Sequence, residues 1–238
     1  MAKVFIGTSG WNYDHWKGAF YPDNLPKARW LQRYAEIFST VEVNATFYRT
    51  MRASTFEKWS QGTPEGFLWA VKASRFITHI RRLKDVKESL ETFLKSLEPL
   101  KDKLGPILFQ LPPSLSFDEG LFDAFSSLLP ADRRYTIEAR HASWSREIAL
   151  RSLKDHGIAW CISDTAGRYV YLESLTSTFT YIRLHGSTKL YASCYSEQEL
   201  QAWAAKIRSF GVDAYIYFDN DFMGYAPMNA MRLHEILS

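Results

Sequence analysis

The chain reads as an α/β protein folded as a single (β/α)8 barrel of the TIM type, and three observations point there. Eight short runs rich in β-branched and aromatic residues span the chain, at 4–9, 40–44, 67–73, 106–111, 134–140, 158–164, 179–186 and 214–220. Most of the gaps between them carry apolar residues at a helical period. The runs are near-continuously apolar, which suits a sheet covered on both faces, and eight of them alternating with helices in 238 residues match a closed parallel barrel. A doubly wound open sheet is the competing fold. It calls for a glycine-rich phosphate turn, and GTSG at 7–10 fits neither the dinucleotide fingerprint nor the P-loop. No linker, repeat or low-complexity segment interrupts the pattern, so one domain is expected over residues 1–238.

Taken in order, VFIGTS opens the first strand and WNYDHWKGAFYP follows as the first loop. That loop holds Trp11, Tyr13, Trp16, Phe20 and Tyr21 without any regular period. Trp11 and Tyr13, nearest the strand end, are expected to line a pocket, with Phe20 and Tyr21 anchoring the loop against the first helix. Residues 27–38 place Leu31, Tyr34, Ala35 and Phe38 on one helical stripe behind Pro26. Residues 82–98 do the same with Val86, Leu90, Phe93, Leu94 and Leu97. Ser116 with Glu119, and Ser196 with Glu199, have capping-box spacing; the two helices are expected to run to about Leu129 and to Gly211. A helix over 145–156 stops at Gly157, whereas 165–178 has a weak pattern and predicts an irregular link between strands six and seven.

Composition narrows the function class. The chain is long enough to bury a core without disulfides or metals. A net charge of +3 and a pI near 8.7 fall short of a nucleic-acid-binding signature, and the basic cluster Arg81, Arg82 and Lys84 beside strand three is explained equally well by a solvated face. Aromatic residues at 16% favour an aromatic-lined cleft. Cys161 lies in an apolar run and reads as a buried thiol, while Cys194 lacks any metal-ligand or redox spacing. A reduced, cytoplasmic setting is therefore expected. The N-terminal MAKVFIG enters a strand at once, without the look of a signal peptide, and no apolar run is long enough to span a bilayer.

Barrel active sites lie at the C-terminal ends of the strands. Those ends carry Thr8 and Ser9, Glu42 and Asn44, Lys72, Gln110, Glu138 and Arg140, Asp164, Arg183 and His185, and Asp219, Asn220 and Asp221. Side chains two apart on a strand share a face, so Glu42 with Asn44, Glu138 with Arg140, and Arg183 with His185 should converge on one polar floor. The bland alternative is that these groups are ion pairs capping the core, since buried charges need partners.

The motifs GTSGWNYDHWKGAFYP, VEVNATFY, VKASRFITHIRRL, LGPILFQLPP, IEARHASW, RLHG and YFDNDFMGYAPMNA resemble, in that order and over essentially the whole chain, the YecE-like family of unknown function. The resemblance implies a TIM-type barrel and no established activity. It places recurring polar residues at Trp11, Tyr13, Glu42, Asn44, Lys72, Arg75, His79, Gln110, Glu138, Arg140, His141, Arg183, His185, Asn220 and Asp221. The family pattern more often carries Asn where this chain has Asp219, and ISDTAG departs from the usual end of strand six.

The expected activity is that of an enzyme, a hydrolase, isomerase or lyase, acting by acid–base chemistry on a small polar or anionic substrate, phosphorylated or sugar-like. Lys72, Arg75, Arg140 and Arg183 supply cations for an anion, with GTSG amides as a further source of N–H groups. Glu42 and Glu138 are the candidate acid–base pair and His185 the candidate proton shuttle. Asn44, Gln110, Asn220 and Asp221 are placed as ligand contacts beside Trp11 and Tyr13. A divalent metal on Glu138, Asp164, His185 and Asp219 is chemically reasonable, but neighbouring arginines disfavour it; no metal ligand is assigned. The alternatives are a metal-assisted phosphoesterase acting on nucleic acid, which the charge balance disfavours, and a barrel that binds its ligand without catalysis.

Overall fold

The computed structural model describes residues 2–238. Eight parallel strands run β1 (Val4–Thr8), β2 (Thr40–Val43), β3 (Leu68–Lys72), β4 (Leu104–Gln110), β5 (Tyr135–Glu138), β6 (Ala159–Asp164), β7 (Phe179–Leu184) and β8 (Asp213–Phe218). Their order is β1-β8-β7-β6-β5-β4-β3-β2, one nearly closed barrel rather than an open doubly wound sheet. Among the described residues, only the Ser9–Glu42 bridge pairs β1 with β2 directly. The Tyr34 hydroxyl fills the rest of that seam: it takes the Thr8 N–H at 2.9 Å and donates to the Thr40 carbonyl at 3.1 Å. Gly7 permits the close approach, because a Cβ there would collide with the Thr40 carbonyl.

The helices α1 (Trp30–Ala35), α2 (Ala45–Tyr48), α3 (Ala53–Gln61), α4 (Lys87–Ser96), α5 (Glu119–Ser126), α6 (Glu147–Asp155), α7 (Glu197–Phe210) and α8 (Tyr225–Leu237) surround the sheet. The Ser196–Glu199 capping box forms as expected and α7 ends at left-handed Gly211. The Ser116–Glu119 box does not form: Asp118 caps α5 instead, accepting the Leu121 N–H at 2.8 Å, because its carboxylate stands directly before the first turn. The helix expected over 82–98 begins only at Lys87, since Arg82, Leu83 and Asp85 adopt positive φ. No helix joins β6 to β7, in agreement with the weak pattern there.

Alternation along the strands separates two cores. Large outward residues such as Trp69, Val71, Phe109, Ile137, Trp160 and Ile182 pack against the helices. Inward residues fill the barrel: Ala70, Leu108, Ala159, Cys161, Phe179, Tyr181, Tyr215 and Tyr217. At the N-terminal end, Phe5 stacks on Tyr215 at 4.9 Å and Phe179 meets the same ring edge-on at 5.7 Å. Arg134 covers both rings, 5.8 Å from Phe179 and 5.6 Å from Tyr215. Above them Tyr181 and Tyr217 lie 5.1 Å apart, and the Tyr217 hydroxyl bonds Thr40 Oγ1 at 2.7 Å. Among the described residues no helix is long and apolar enough to cross a membrane.

Candidate functional site

Continuing the inward alternation one step gives Ser9, Glu42, Lys72, Gln110, Glu138, Ser163, Arg183 and Asp219, one polar residue from every strand, with Ser9 and Asp219 just past their strand ends. Arg183 stands at the centre. Its Nε donates to Glu42 Oε2 at 3.0 Å and its Nη2 to Glu42 Oε1 at 2.7 Å, a bidentate fork. Nη1 donates to Glu138 Oε2 at 2.6 Å, and Nη2 reaches Asp219 Oδ2 at 3.1 Å. Glu42 also accepts from Ser9 Oγ at 2.7 Å and from the Tyr181 hydroxyl at 2.6 Å. Glu138 accepts from Gln110 Nε2 at 2.9 Å and from Arg140 Nε at 3.2 Å.

This network holds two of its carboxylates, Glu138 and Asp219, in the ionised form. Burial would raise the Glu138 pKa, but the guanidinium of Arg183, helped by His185, Arg140 and Lys72, holds it well below the ordinary glutamate value. Asp219 is likewise held down by Arg183 and His185 against the effect of burial. His185 Nε2 lies 3.3 Å from Arg183 Nη1. Nδ1 is 2.8 Å from Asp219 Oδ2, close but poorly aligned. The expected acid–base pair is thus locked around one arginine, with Arg183 itself fully engaged. Glu138 stays ionised at neutral pH and makes a poor general acid.

Lys72 differs from every other ion on this floor. It is 7% exposed, and no hydrogen-bond or ion-pair partner reaches its Nζ among the described residues. The ammonium sits 4.4 Å from the centre of the Phe47 ring. Burial, reinforced by Arg183 and only partly offset by Glu138, Glu42 and Asp219, lowers its pKa from 10.5 to about 8. The same Phe47 ring meets His79 edge-on at 5.0 Å. His79 belongs to a single π-helical turn, Phe76–Ile80, and its Nδ1 pairs with Thr78 Oγ1 at 2.9 Å. Burial, then Lys72 and Arg140, push its pKa down to about 4, so the ring is neutral at pH 7. Arg140 stacks 4.5 Å from the Tyr169 ring and spends only Nε on Glu138, leaving its Nη groups without a protein acceptor among the described residues. Arg75 is exposed just beyond β3.

Several expected contacts fall elsewhere. Trp11 packs edge-on against Trp59 at 5.1 Å and outward-facing Trp69 at 5.3 Å, away from the polar floor. It helps line a surface hollow of roughly 890 Å3 between α1 and α3, which contains none of the buried ions. Tyr13 does overlook the floor: its hydroxyl donates to the Ser9 carbonyl at 2.6 Å, and burial, then Asp219, Asp221 and Glu42, raise its pKa. Gly10, at φ +99°, makes room for that ring, since a Cβ would stand 2.6 Å from the tyrosine oxygen. Trp16, Phe20 and Tyr21 are buried core. Asn220 Nδ2 is committed to the Ser193 carbonyl and Asn229 Oδ1, both at 2.9 Å, tying the β7 loop to α8. Asp221 accepts from Trp16 Nε1 at 2.6 Å and pairs with His15 at 3.2 Å, tying the first loop to the last. Asn44 stands between β2 and α2 with its Oδ1 buried and, among the described residues, unpaired. His141 turns to Ser143, whose N–H it accepts at 3.2 Å.

Two further expectations are corrected. The GTSG amides are not free for an anion: Thr8 N–H goes to Tyr34, Ser9 N–H to the Phe218 carbonyl and Gly10 N–H to the Thr8 carbonyl. Asp164 does not join the floor, because it shares the outward parity of Trp160 and Ile162; it accepts from the Tyr195 hydroxyl at 2.9 Å. Ser163, two residues after Cys161, takes the inward place with its Oγ unpaired. The carboxylates that remain, Glu138 and Asp219, both pair with the Arg183 guanidinium. Among the described residues no three His, Cys, Asp or Glu side chains are arranged so that they could hold a metal ion.

The chain belongs to the family described as "Protein of unknown function DUF72", whose profile matches residues 5–238. It is 28% identical to the UPF0759 protein YunF of Bacillus subtilis (strain 168), over 98% of this chain and 94% of YunF. Identity with the UPF0759 protein YecE of Escherichia coli (strain K12) is 27%, over 68% of this chain and 59% of YecE. A DUF72 family protein of known crystal structure from Thermotoga maritima superposes with a TM-score of 0.91 at 29% identity, covering 99% of each chain.

Proposed function

We propose that this DUF72 barrel is an enzyme that takes a small anionic substrate, phosphorylated or sugar-like, at the C-terminal mouth and acts on it by acid–base chemistry. The observation that carries the reading is the unequal distribution of partners on the floor. Glu42, Glu138 and Asp219 all turn to Arg183, while Lys72 and the Nη groups of Arg140 keep none among the described residues. A desolvated cation without a counter-ion is costly in a finished core and useful in a site whose ligand brings the negative charge.

The roles then shift from those the strand ends alone indicate. Arg140 and Arg75 contact the anion, and Arg183 positions the carboxylates rather than the substrate. Proton transfer falls to Lys72, whose pKa of about 8 suits work near neutral pH, with neutral His79 beside it. Glu42, Glu138 and His185 supply the fixed electrostatic frame. The rings of Tyr13 and Tyr169 offer flat faces at the rim for a sugar or similar skeleton.

Thermal unfolding in inorganic phosphate, against sodium chloride of equal ionic strength, tests the anion site. Phosphate raises the Tm of the native protein, and Arg140→Ala removes most of that rise. An absent phosphate effect, or one that Arg140→Ala leaves intact, overturns the reading.

A further inference from the structure

The buried amine on β3 is suited to more than charge contact. We propose that Lys72 is a nucleophile that forms an imine with an anionic carbonyl compound, a 2-oxo acid or a phosphorylated aldehyde or ketone. The proposal deepens the anion-pocket reading and rests on it for the recognition of the substrate's negative group.

Four features place Nζ for this step. First, inward alternation from Ala70 aims the side chain into the mouth of the barrel, where the other strands end in polar groups. Second, the backbone is pinned there: Thr46 Oγ1 donates to the Lys72 carbonyl at 2.6 Å, and the Ala73 N–H bonds the Leu108 carbonyl at 2.8 Å. Third, the three nearby carboxylates are held by Arg183, so none captures the amine as an ion pair. Fourth, Phe47 supplies an apolar wall at 4.4 Å, and Arg183 and Arg140 lie on the same floor. Desolvation and the charge of Arg183 disfavour the ammonium by more than the Phe47 face and the nearby carboxylates favour it, which leaves a lone pair available near neutral pH, a known way of activating lysine. With the pKa at about 8 rather than 10.5, on the order of a tenth of the amine is free at pH 7, a gain of two to three orders of magnitude.

The step balances without a further reactant. The neutral Nζ attacks the carbonyl carbon, forming a C–N bond, and the carbonyl oxygen becomes a hydroxyl by taking a proton. Loss of that hydroxyl with the remaining nitrogen proton releases one water and leaves a C=N bond. Protonation from solvent then gives the iminium, an electron sink for breaking a bond next to the former carbonyl. His79, sharing the Phe47 ring, stands where it can pass protons during dehydration. Arg140 and Arg75 hold the carboxylate or phosphate.

Borohydride trapping tests this on the unmodified protein, with pyruvate as the anionic probe and acetone as its neutral counterpart, read by peptide mass spectrometry. The expected result is a reduced pyruvate adduct at Lys72, formed at least tenfold faster than at exposed lysines such as Lys84 and Lys189. Acetone should be trapped there about tenfold less readily than pyruvate. Trapping spread evenly over surface lysines, or none at Lys72 with either probe, overturns the imine. Equal trapping of pyruvate and acetone at Lys72 keeps the imine and removes the anion pocket. A phosphate-dependent Tm rise without any Lys72 adduct removes the imine and keeps the pocket.

Discussion

The two ends of this barrel solve the same packing problem in opposite ways. At the N-terminal end, Arg134 caps the interior by lying over the rings of Tyr215 and Phe179, with its side chain 49% exposed. At the C-terminal end, Arg183 is buried completely and is answered by three carboxylates. The first arrangement uses aromatic area and costs little desolvation. The second draws several ions out of water, and it is stable only while every partner is present. A fold that closes itself with rings at one end has no packing need for buried ions at the other, and this difference is what the proposed role of the upper end rests on.

The largest expected effect breaks that contrast directly. Arg183→Leu leaves Glu42, Glu138 and Asp219 without their shared counter-ion and should cost about 3–5 kcal/mol in urea unfolding. Arg134→Leu, at a half-exposed cation, should cost less than about 1 kcal/mol. Comparable losses at the two positions would erase the distinction.

A smaller effect of opposite sign belongs to Lys72. Its folded pKa of about 8 lies below the ordinary 10.5, so between those values the unfolded chain binds more protons. Stability therefore rises with pH across that window, and the buried ammonium is a burden below it. Lys72→Met keeps the volume and removes the charge, so it should be more stable than the native protein at pH 7, by about 1–3 kcal/mol. The difference should vanish above pH 10.5, as urea titrations at several pH values would show. A destabilised Lys72→Met at pH 7 would mean that the amine has a structural partner.

Much of this frame was legible in the sequence because strand alternation is a strong signal. Val41 and Val43 flank Glu42, Trp69 and Val71 flank Ala70 just below Lys72, and Tyr135 and Ile137 precede Glu138. In each case large apolar residues mark the helix-facing parity and leave the polar residue inside. The same rule selects Ser163 over Asp164, since Trp160 and Ile162 share the parity of Asp164, although Asp164 is the ionisable one of the two. Past the strand ends alternation stops, and loop geometry decides. Nothing local says that Asn220 is spent on Ser193 and Asn229, that Asp221 reaches back to Trp16, or that Trp11 turns outward to Trp59. The pairing of Arg183 with Glu42 and Glu138 spans more than a hundred residues in one case and is set by barrel closure alone. For that reason the unpartnered state of Lys72 could emerge only from the three-dimensional arrangement.

The most direct test of the account is the titration of Lys72 itself. Carbon-13 NMR of the lysine Cε, with Lys72→Arg to identify the resonance, reads the protonation of this one amine. A midpoint near pH 8 is the result that a buried amine without a counter-ion predicts. A midpoint near the ordinary 10.5 would show a solvated or ion-paired ammonium, and would contradict the assignment of Lys72 as the reactive group of the barrel mouth.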